Sequence, residues 1–130
     1  MCPTGLGDNY IRLDALRGSM IDEHKYGSFT IDKKLYQGSV KLVEGAVRYW
    51  DPQEYEITSE DLRALLLGKP EFVVIGLGPG GLFKVGEDVM RSLSMRKIRS
   101  YVGKNVEMIK RYNELLRDKK KVNAIFPCRG

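Results

Sequence analysis

Apolar and polar residues alternate with a period of two along the first half of the chain, from Ile21 onward. The alternating segments are Tyr26–Ile31, Leu35–Val43 and Ala46–Trp50. This period is typical of strands that bury one face. Asp32–Lys34 and Glu44–Gly45 have the composition of turns, and Asp51-Pro52 ends the last segment. The pattern therefore predicts an antiparallel β meander in this half.

The hydrophobic period changes near Thr58, where helical spacings begin to alternate with short apolar runs. Thr58 is predicted to cap the first helix, which Gly68 and Pro70 end. Asn105 is predicted to cap the third helix. The positions predicted to face inward are Leu62, Leu65 and Leu66 in the first helix, Val89, Met90 and Leu93 in the second (about Glu87–Lys97), and Val106, Ile109, Tyr112 and Leu116 in the third.

The strands predicted in this half are Phe72–Ile75, Ile98–Val102 and Val122–Phe126, with a short extended piece at Leu82–Val85. Strands that alternate with helices predict right-handed crossovers and a largely parallel sheet. A length of 130 residues fits one domain. We therefore expect a loose N-terminal tail over residues 1–20, with a helical turn around Leu13–Leu16, and a single α/β domain over residues 21–130.

A glycine-rich stretch, residues 76–81, directly follows one of the buried strands. Amide groups in such a loop can hold a phosphate or a carboxylate. The candidate ligand-binding residues are Gly76, Gly78, Gly80, Gly81 and Lys84. In the simpler interpretation, the glycines permit a tight turn with positive φ at the end of the sheet. We favour the turn and keep the ligand loop as the alternative.

The spacing of Gly76, Gly78 and Gly81 also satisfies the dinucleotide-binding pattern. That pattern requires the third glycine to open directly into a helix and an acid to end the next strand. Here an extended segment and Gly86 intervene before the helix, and no acid ends the next strand. The loop also lacks the Gly-Lys-Ser/Thr ending of a P-loop. We therefore expect no nucleotide cofactor.

Positive charge is concentrated in the second half of the chain. Residues 1–70 contain 9 Lys and Arg and 11 Asp and Glu, whereas residues 71–130 contain 13 and 6. A basic half is typical of acidic protein partners or nucleic acid, and the simpler alternative is a solvated helix surface. Aromatic residues do not interleave with the basic ones as RNA recognition requires, so nucleic acid is the less expected partner. The candidate partner-binding residues are Lys97, Arg99, Lys104, Lys110 and Arg111.

The sequence contains no complete set of catalytic or metal-binding residues. His24 has no neighbouring nucleophile or ligand and is expected in a turn or on the surface. Cys2 and Cys128 are expected to be free thiols, with a disulfide only if the termini meet. Glu87 and Asp88 are expected to be first-turn acids of a helix. We expect no metal and no cofactor, and a non-enzymatic protein is favoured over an enzyme.

The N-terminal segment does not resemble a secretory signal, because it has no apolar core and contains Asp8 and Asp14. Arg12 and Arg17 leave a mitochondrial presequence as the less favoured alternative. No apolar run approaches the roughly 20 residues of a membrane span. We therefore expect a cytoplasmic protein of prokaryotic type, and the sequence leaves its oligomeric state open.

Six segments occur in the order and spacing of one protein family: Tyr26–Ile31, Gly45–Trp50, Val73–Gly78, Leu82–Val85, Tyr112–Leu115 and Val122–Phe126. The set resembles the small domain shared by mitochondrial complex I assembly factor 3, the adipogenesis-associated domain protein and uncharacterised bacterial and archaeal proteins. The resemblance covers about Ile21 to Cys128. Many relatives end in a segment with a histidine before the cysteine, which this chain lacks, so no role for that histidine can be transferred.

The resemblance implies a three-layer α/β domain with a central mixed sheet, about three helices and no established enzymatic activity or cofactor. It also implies an assembly or interaction factor. The leading hypothesis is therefore a non-enzymatic binding or assembly-type protein that acts through protein–protein contacts. The alternative is a protein or enzyme that binds a small anionic ligand, a nucleotide or metabolite, through residues 76–81.

Overall fold

Within residues 20–52 and 54–130, which the computed structural model describes, the chain forms ten strands and three helices. The strands are β1 (Ile21–Lys25), β2 (Ser28–Ile31), β3 (Lys34–Gln37), β4 (Ser39–Val43), β5 (Ala46–Trp50), β6 (Glu56–Ile57), β7 (Phe72–Gly76), β8 (Lys84–Val85), β9 (Arg99–Gly103) and β10 (Val122–Phe126). The helices are α1 (Ser59–Leu65), α2 (Glu87–Met95) and α3 (Asn105–Arg117). The expected loose tail lies outside the described residues except for Met20, and so does its helical turn around Leu13–Leu16.

The described elements stack in three layers around a five-stranded sheet of order β5-β4-β10-β7-β9. In this sheet β10, β7 and β9 are parallel, whereas β4 and β5 are antiparallel. Helix α3 and the antiparallel sheet β1-β2-β3 cover one face, and α1 and α2 cover the other. Strands β6 and β8 form a separate parallel pair. The predicted α/β class, with a mixed central sheet and three flanking helices, is confirmed.

Strands β7 and β10 lie at the centre, and each of their residues is buried. Val74 and Ala124 pack in the core under α3, whereas Val73 and Ile125 pack in the core under α1 and α2. Parallel strands with both faces covered need continuous apolar runs rather than alternating ones. The two least interrupted apolar runs of the second half therefore became the centre of the sheet.

Asn123 is the polar exception inside β10 and is only 3% exposed. Its Nδ2 donates to the carbonyl oxygens of Leu65 and Leu67, at 2.8 and 2.9 Å, at the end of α1. Its Oδ1 accepts from the amide of Glu44 at 3.0 Å. The last carbonyls of a helix have no partner within the helix. Asn123 therefore supplies the missing donors and connects α1 to the central strand.

Two strand predictions of the first half are wrong in their boundaries. Tyr26 and Gly27 form the turn between β1 and β2, with Gly27 at φ +90°, instead of beginning a strand. The predicted strand Leu35–Val43 is broken at Gly38, whose φ is +146°, where the chain passes from the small sheet to the central sheet. A glycine inside an alternating pattern fits a continuous strand and a break equally well. The predicted turn Glu44–Gly45 between β4 and β5 is confirmed.

The start of α1 agrees with its prediction. Thr58 caps α1, and its amide donates to the Asp61 carboxylate at 2.9 Å in a reciprocal capping box. Gly68 follows the helix with φ +77°.

Two inward-facing assignments, one in α2 and one in α3, are wrong. Met90 and Val106, predicted to face inward, are 37% and 57% exposed, because their helices turn these positions towards solvent.

Asn105 does not cap α3 as predicted. The N-cap is Lys104, which makes no side-chain capping bond, and Asn105 is the first residue of the helix with its side chain fully buried. Its Nδ2 donates to the Pro127 carbonyl at 2.7 Å, and its Oδ1 accepts from the Gly78 amide at 3.0 Å. Asn105 therefore joins three segments of the chain: the glycine-rich loop, the start of α3 and the end of β10.

We predict that Asn105→Ala lowers the free energy of unfolding by about 2–4 kcal/mol, because the Gly78 amide and the Pro127 carbonyl lose their buried partner. Asn113→Ala is the matched control. Asn113 lies on the same helix and also makes two hydrogen bonds, both to Ile21, at 3.0 and 2.8 Å, but it is only partly buried. Water can replace these bonds, so the control should lose clearly less. Urea unfolding of both variants measures the difference, and equal losses would contradict this role of Asn105.

Candidate functional site

The glycine loop, residues 76–81, connects β7 to β8 and lies against the ends of several other elements. Its Leu77 amide donates to the Gly103 carbonyl at the end of β9, at 2.8 Å. Its Gly78 carbonyl accepts from the Asn105 amide at 3.2 Å. Directly after the loop, the Leu82 amide donates to the Gly130 carbonyl at 3.0 Å. The loop is thus enclosed by β9, α3 and the segment after β10.

Two glycines of the loop have positive φ values. Gly78 lies at φ +92°, and Gly81 lies at φ +75°. A Cβ atom at Gly78 would stand 2.6 Å from the Arg129 carbonyl oxygen, and one at Gly81 would stand 3.1 Å from Cγ of Lys104. Gly78 therefore meets both a conformational and a steric requirement for glycine.

The other two glycines are restricted by crowding alone, since neither has a positive φ. A Cβ atom at Gly80 would lie 2.9 Å from the Gly130 carbonyl oxygen. At Gly76 it would overlap Oδ1 of Asn105 and approach the Phe126 ring to 2.5 Å. Other parts of the protein thus fill the space that glycine leaves open.

Several loop amides already donate to acceptors within the protein. In addition to the Leu77 amide, the Gly78 amide donates to Oδ1 of Asn105 at 3.0 Å. The Gly81 amide donates to the Gly78 carbonyl at 3.2 Å. These are among the donors that a phosphate would need in a ligand loop. The arrangement agrees with the structural-turn interpretation.

The two lysines near the loop in the sequence or in space, Lys84 and Lys104, differ in their surroundings. Lys84 lies on β8, in register with Glu56 of β6, and is exposed. Lys104, one of the candidate partner-binding residues, lies with its aliphatic stem beside Gly81. The loop therefore stands at the start of α3, whereas a dinucleotide site would need it at the start of α2. No local sequence pattern indicates this placement, because residues 81 and 104 are far apart in the chain.

Two of the candidate partner-binding residues, Arg99 and Arg111, are held over aromatic rings. The Arg99 guanidinium carbon lies 5.7 Å from the centroid of the Phe72 ring, and that of Arg111 lies 4.8 Å from the centroid of the Tyr101 ring. The two rings are stacked on each other, 6.0 Å apart and 15° from parallel. Cations over aromatic faces are attracted by the ring quadrupole. The stack therefore holds one positive charge from β9 and one from α3, each over its own ring.

The remaining basic residues occupy different positions around β9. Lys97 lies in a left-handed turn, at φ +59°, shortly before the strand, and Lys104 follows its end. Lys110 precedes Arg111 on α3, so the two side chains leave the helix about 100° apart. Arg111 points towards β9, whereas Lys110 lies on the outer side of the helix. We call Lys97, Arg99, Lys104 and Arg111 the basic surface, with Lys110 at its outer margin.

The stretch that builds the basic surface is the most positively charged part of the described chain. Residues 96–111 contain six basic residues and a single acidic one, Glu107. One further carboxylate is close, since Glu114 pairs with Arg111 at 3.4 Å, and both side chains are about half exposed. An exposed pair of this kind contributes little energy and leaves the surface strongly positive.

An acidic groove lies near the opposite edge of the central sheet, and the sequence analysis did not identify it. It is open and encloses about 450 Å³. Its acidic lining residues follow β5 in the chain and are Asp51, Glu54, Glu56, Glu60 and Asp61. The acids are spread over a loop, β6 and α1, so that no single sequence motif marks them.

The other sequence candidates are not among the residues that define the two surfaces. His24 stacks on Phe29 at 4.8 Å between ring centroids, and partial burial lowers its pKa below 6.5. Its Nε2 has no hydrogen-bond partner among the described residues. Cys128 is a half-buried free thiol, whereas Cys2 lies outside the described residues. The first-turn placement of Glu87 and Asp88 in α2 is confirmed.

No cluster of His, Cys, Asp and Glu residues that could hold a metal ion occurs within residues 20–52 and 54–130. None of the helices in this part of the chain has the length and apolar character needed to cross a membrane.

Comparison with known proteins assigns the chain to a family. Residues 21–127 match DUF498, described as a protein of unknown function (DUF498/DUF598). The chain belongs to this family. The matched range agrees with the extent predicted for the family domain, about Ile21 to Cys128. A search of the curated proteins finds no match to the chain.

Several solved structures share the fold. An outer membrane protein from Bartonella henselae is 20% identical, with a TM-score of 0.76 over 87% of this chain and 97% of that one. A conserved hypothetical protein from Pyrococcus horikoshii is 18% identical, with a TM-score of 0.76 over 85% and 98%. A Bordetella pertussis protein described as a Mth938-like domain is 15% identical, with a TM-score of 0.69 over 99% and 94%. At these identities the likeness shows the fold alone.

We predict that Gly78→Ala and Gly80→Ala both lower the melting temperature, and that Gly78→Ala has the larger effect. Gly78→Ala combines a positive φ with a backbone clash, whereas Gly80→Ala adds only the clash. Gly27→Ala separates the two causes, because Gly27 has φ +90° but nothing within 4 Å of an added Cβ. It should cost about 1–2 kcal/mol.

Thermal unfolding of the three variants, with and without phosphate and nucleotides, measures these effects. We expect no added anion to restore stability. Melting temperatures of the Gly78 and Gly80 variants that equal the parent's would show that the loop is not a constrained turn.

Proposed function

We propose that this member of the DUF498/DUF598 family is a non-enzymatic binding or assembly-type protein that contacts an acidic protein partner through its basic surface. The proposal rests on one observation: the guanidinium groups of Arg99 and Arg111 are each held over one ring of the stacked pair Phe72 and Tyr101. Charged side chains that are fixed before binding lose less conformational entropy when a partner arrives. Carboxylates of a partner would therefore meet guanidinium groups already in position.

Charge complementarity supports a protein partner. Positive charge around β9 raises the rate of encounter with an acidic surface and disfavours basic partners. The rings beneath the arginines are covered, since Phe72 is 7% exposed and Tyr101 is half-buried. Readers of single-stranded nucleic acid instead present aromatic faces for base stacking. A protein partner is therefore favoured over single-stranded nucleic acid, and the competition experiment below tests duplex DNA.

The resemblance to the domain of mitochondrial complex I assembly factor 3 and the adipogenesis-associated domain protein supports the same class of function. By that resemblance, the chain would act by contact with other proteins rather than by catalysis. We also propose that the protein is cytoplasmic and of prokaryotic type.

The alternative is a small-anion site at the glycine loop, built from Gly76, Gly78, Gly80, Gly81 and Lys84. Lys104 beside Gly81 favours it, because a cation stands next to the loop. The internal hydrogen bonds of the loop amides weigh against it. This alternative predicts that phosphate or a nucleotide raises the melting temperature.

We predict that Arg99→Glu/Lys104→Glu weakens binding of a short polyglutamate peptide about tenfold or more, because both changes remove attraction and add repulsion. The matched control is Arg117→Glu/Lys120→Glu, which changes net charge equally at exposed positions outside the basic surface. Fluorescence anisotropy at about 0.05 M and about 0.3 M salt measures affinity and its screening. Equal losses in both variants would reduce the effect to net charge and contradict the proposed surface.

Heparin and duplex DNA serve as competitors in the same assay. If they bind more tightly than polyglutamate binds, with dependence on salt and on the basic surface, a protein partner is the wrong assignment.

A further inference from the structure

The basic surface surrounds an edge of the central sheet that has no neighbouring strand among the described residues. Strand β9 pairs only with β7, in parallel register from Phe72–Arg99 to Gly76–Gly103. Edge strands present unpaired amide and carbonyl groups, which are a template for another strand. Such an edge is one of the recurring sites at which extended peptides bind.

The register shows which groups of β9 are available. The Arg99 amide donates to the Glu71 carbonyl at 3.2 Å, and the Gly103 carbonyl accepts from the Leu77 amide at 2.8 Å. Residues of a parallel strand point their backbone groups alternately to either side. Positions 99, 101 and 103 are therefore directed to β7, and Ser100 and Val102 direct their amides and carbonyls away from the sheet.

We propose that this edge binds an extended acidic segment of a partner protein as an additional strand. The inference rests on the proposed function and specifies the form of the partner. Two donors and two acceptors on β9 would pair with the partner backbone. Arg99, at the start of the strand, and Lys104, just after its end, would attract carboxylates of the added strand.

The charges of the molecule favour this occupant over a second copy of the chain. Two β9 edges that paired with each other would bring together two stretches with six basic residues and one acid each. Like charges across a strand pair are destabilising. The edge is thus protected from self-pairing while it stays attractive to an acidic strand.

The opposite edge of the sheet is unsuitable for the same partner. Strand β5 also has a single neighbour within residues 20–52 and 54–130, but the acidic groove follows its end. An acidic segment would be repelled there. The two edges therefore differ in charge, and β5 provides an internal control for any backbone-directed binding.

Hydrogen exchange of individual amides, followed by NMR, tests the proposal with a synthetic peptide in which Glu and Val alternate. We expect the peptide to slow exchange of the Ser100 and Val102 amides about tenfold or more, without slowing exchange in β5. A peptide in which Lys replaces Glu should not bind. An acidic peptide methylated on the amides that would face β9 should bind about tenfold more weakly or worse.

Ser100→Pro removes one outward donor without breaking the ladder to β7, since edge positions tolerate proline. It should weaken binding about tenfold or more, whereas Ser100→Ala, which keeps the amide, should not. The methylated peptide gives the same information on the unchanged protein if the proline variant does not fold.

The outcomes separate this inference from the proposed function. If the acidic peptide binds and depends on Arg99 and Lys104, but neither methylation nor Ser100→Pro weakens it, strand addition is wrong and the basic surface stands. If no acidic peptide binds, both are wrong. If exchange at Ser100 and Val102 slows with protein concentration alone, the occupant is a second copy and the inference fails.

Discussion

The central parallel pair β7–β10 must be covered on both faces, and much of the remaining architecture follows from this requirement. Both strands are fully buried, so each face needs its own layer of apolar side chains. Helix α3 with the small sheet supplies one layer, and α1 with α2 supplies the other. Polar backbone groups at the ends of these strands then have little access to water. The two buried asparagines, 105 and 123, satisfy such groups where helices and loops meet the pair.

Much of the fold could be predicted from the sequence because its signals are local. Apolar runs, the Thr58 capping box and the Glu44–Gly45 turn depend on neighbouring residues, and all three are found in the structure. The change of sheet at Gly38 and the buried position of Asn105 depend on residues distant in the chain. Asparagine caps helices often, so its identity alone favoured the cap. In the structure the Asn105 side chain instead donates to the Pro127 carbonyl, 22 residues away.

The candidate sites show the same limit. Counting charges identified the positive half of the chain, but it could not predict that Arg99 and Arg111 would each lie over one of two stacked rings. It also grouped Lys110 with Arg111, although one helical step of about 100° separates their directions. For the glycine loop, the sequence indicated a turn that requires glycine, but it could not show which residues crowd the glycines. The crowding comes from Asn105, Phe126, Arg129 and Gly130, which follow the loop by some 24 residues or more.

The distribution of charge relative to the strand edges connects fold and function. An edge strand in an open sheet tends to pair with any available strand, and proteins commonly place charged side chains there to prevent this. Protection alone would be achieved by charges of either sign at both edges. In this molecule the β9 edge has basic residues before and after it, whereas the β5 edge leads into an acidic groove. Charges of one sign at one edge, with Arg99 and Arg111 held on aromatic rings, would discriminate between partners in addition to opposing self-pairing. The proposed contact with an acidic partner would depend on that selectivity.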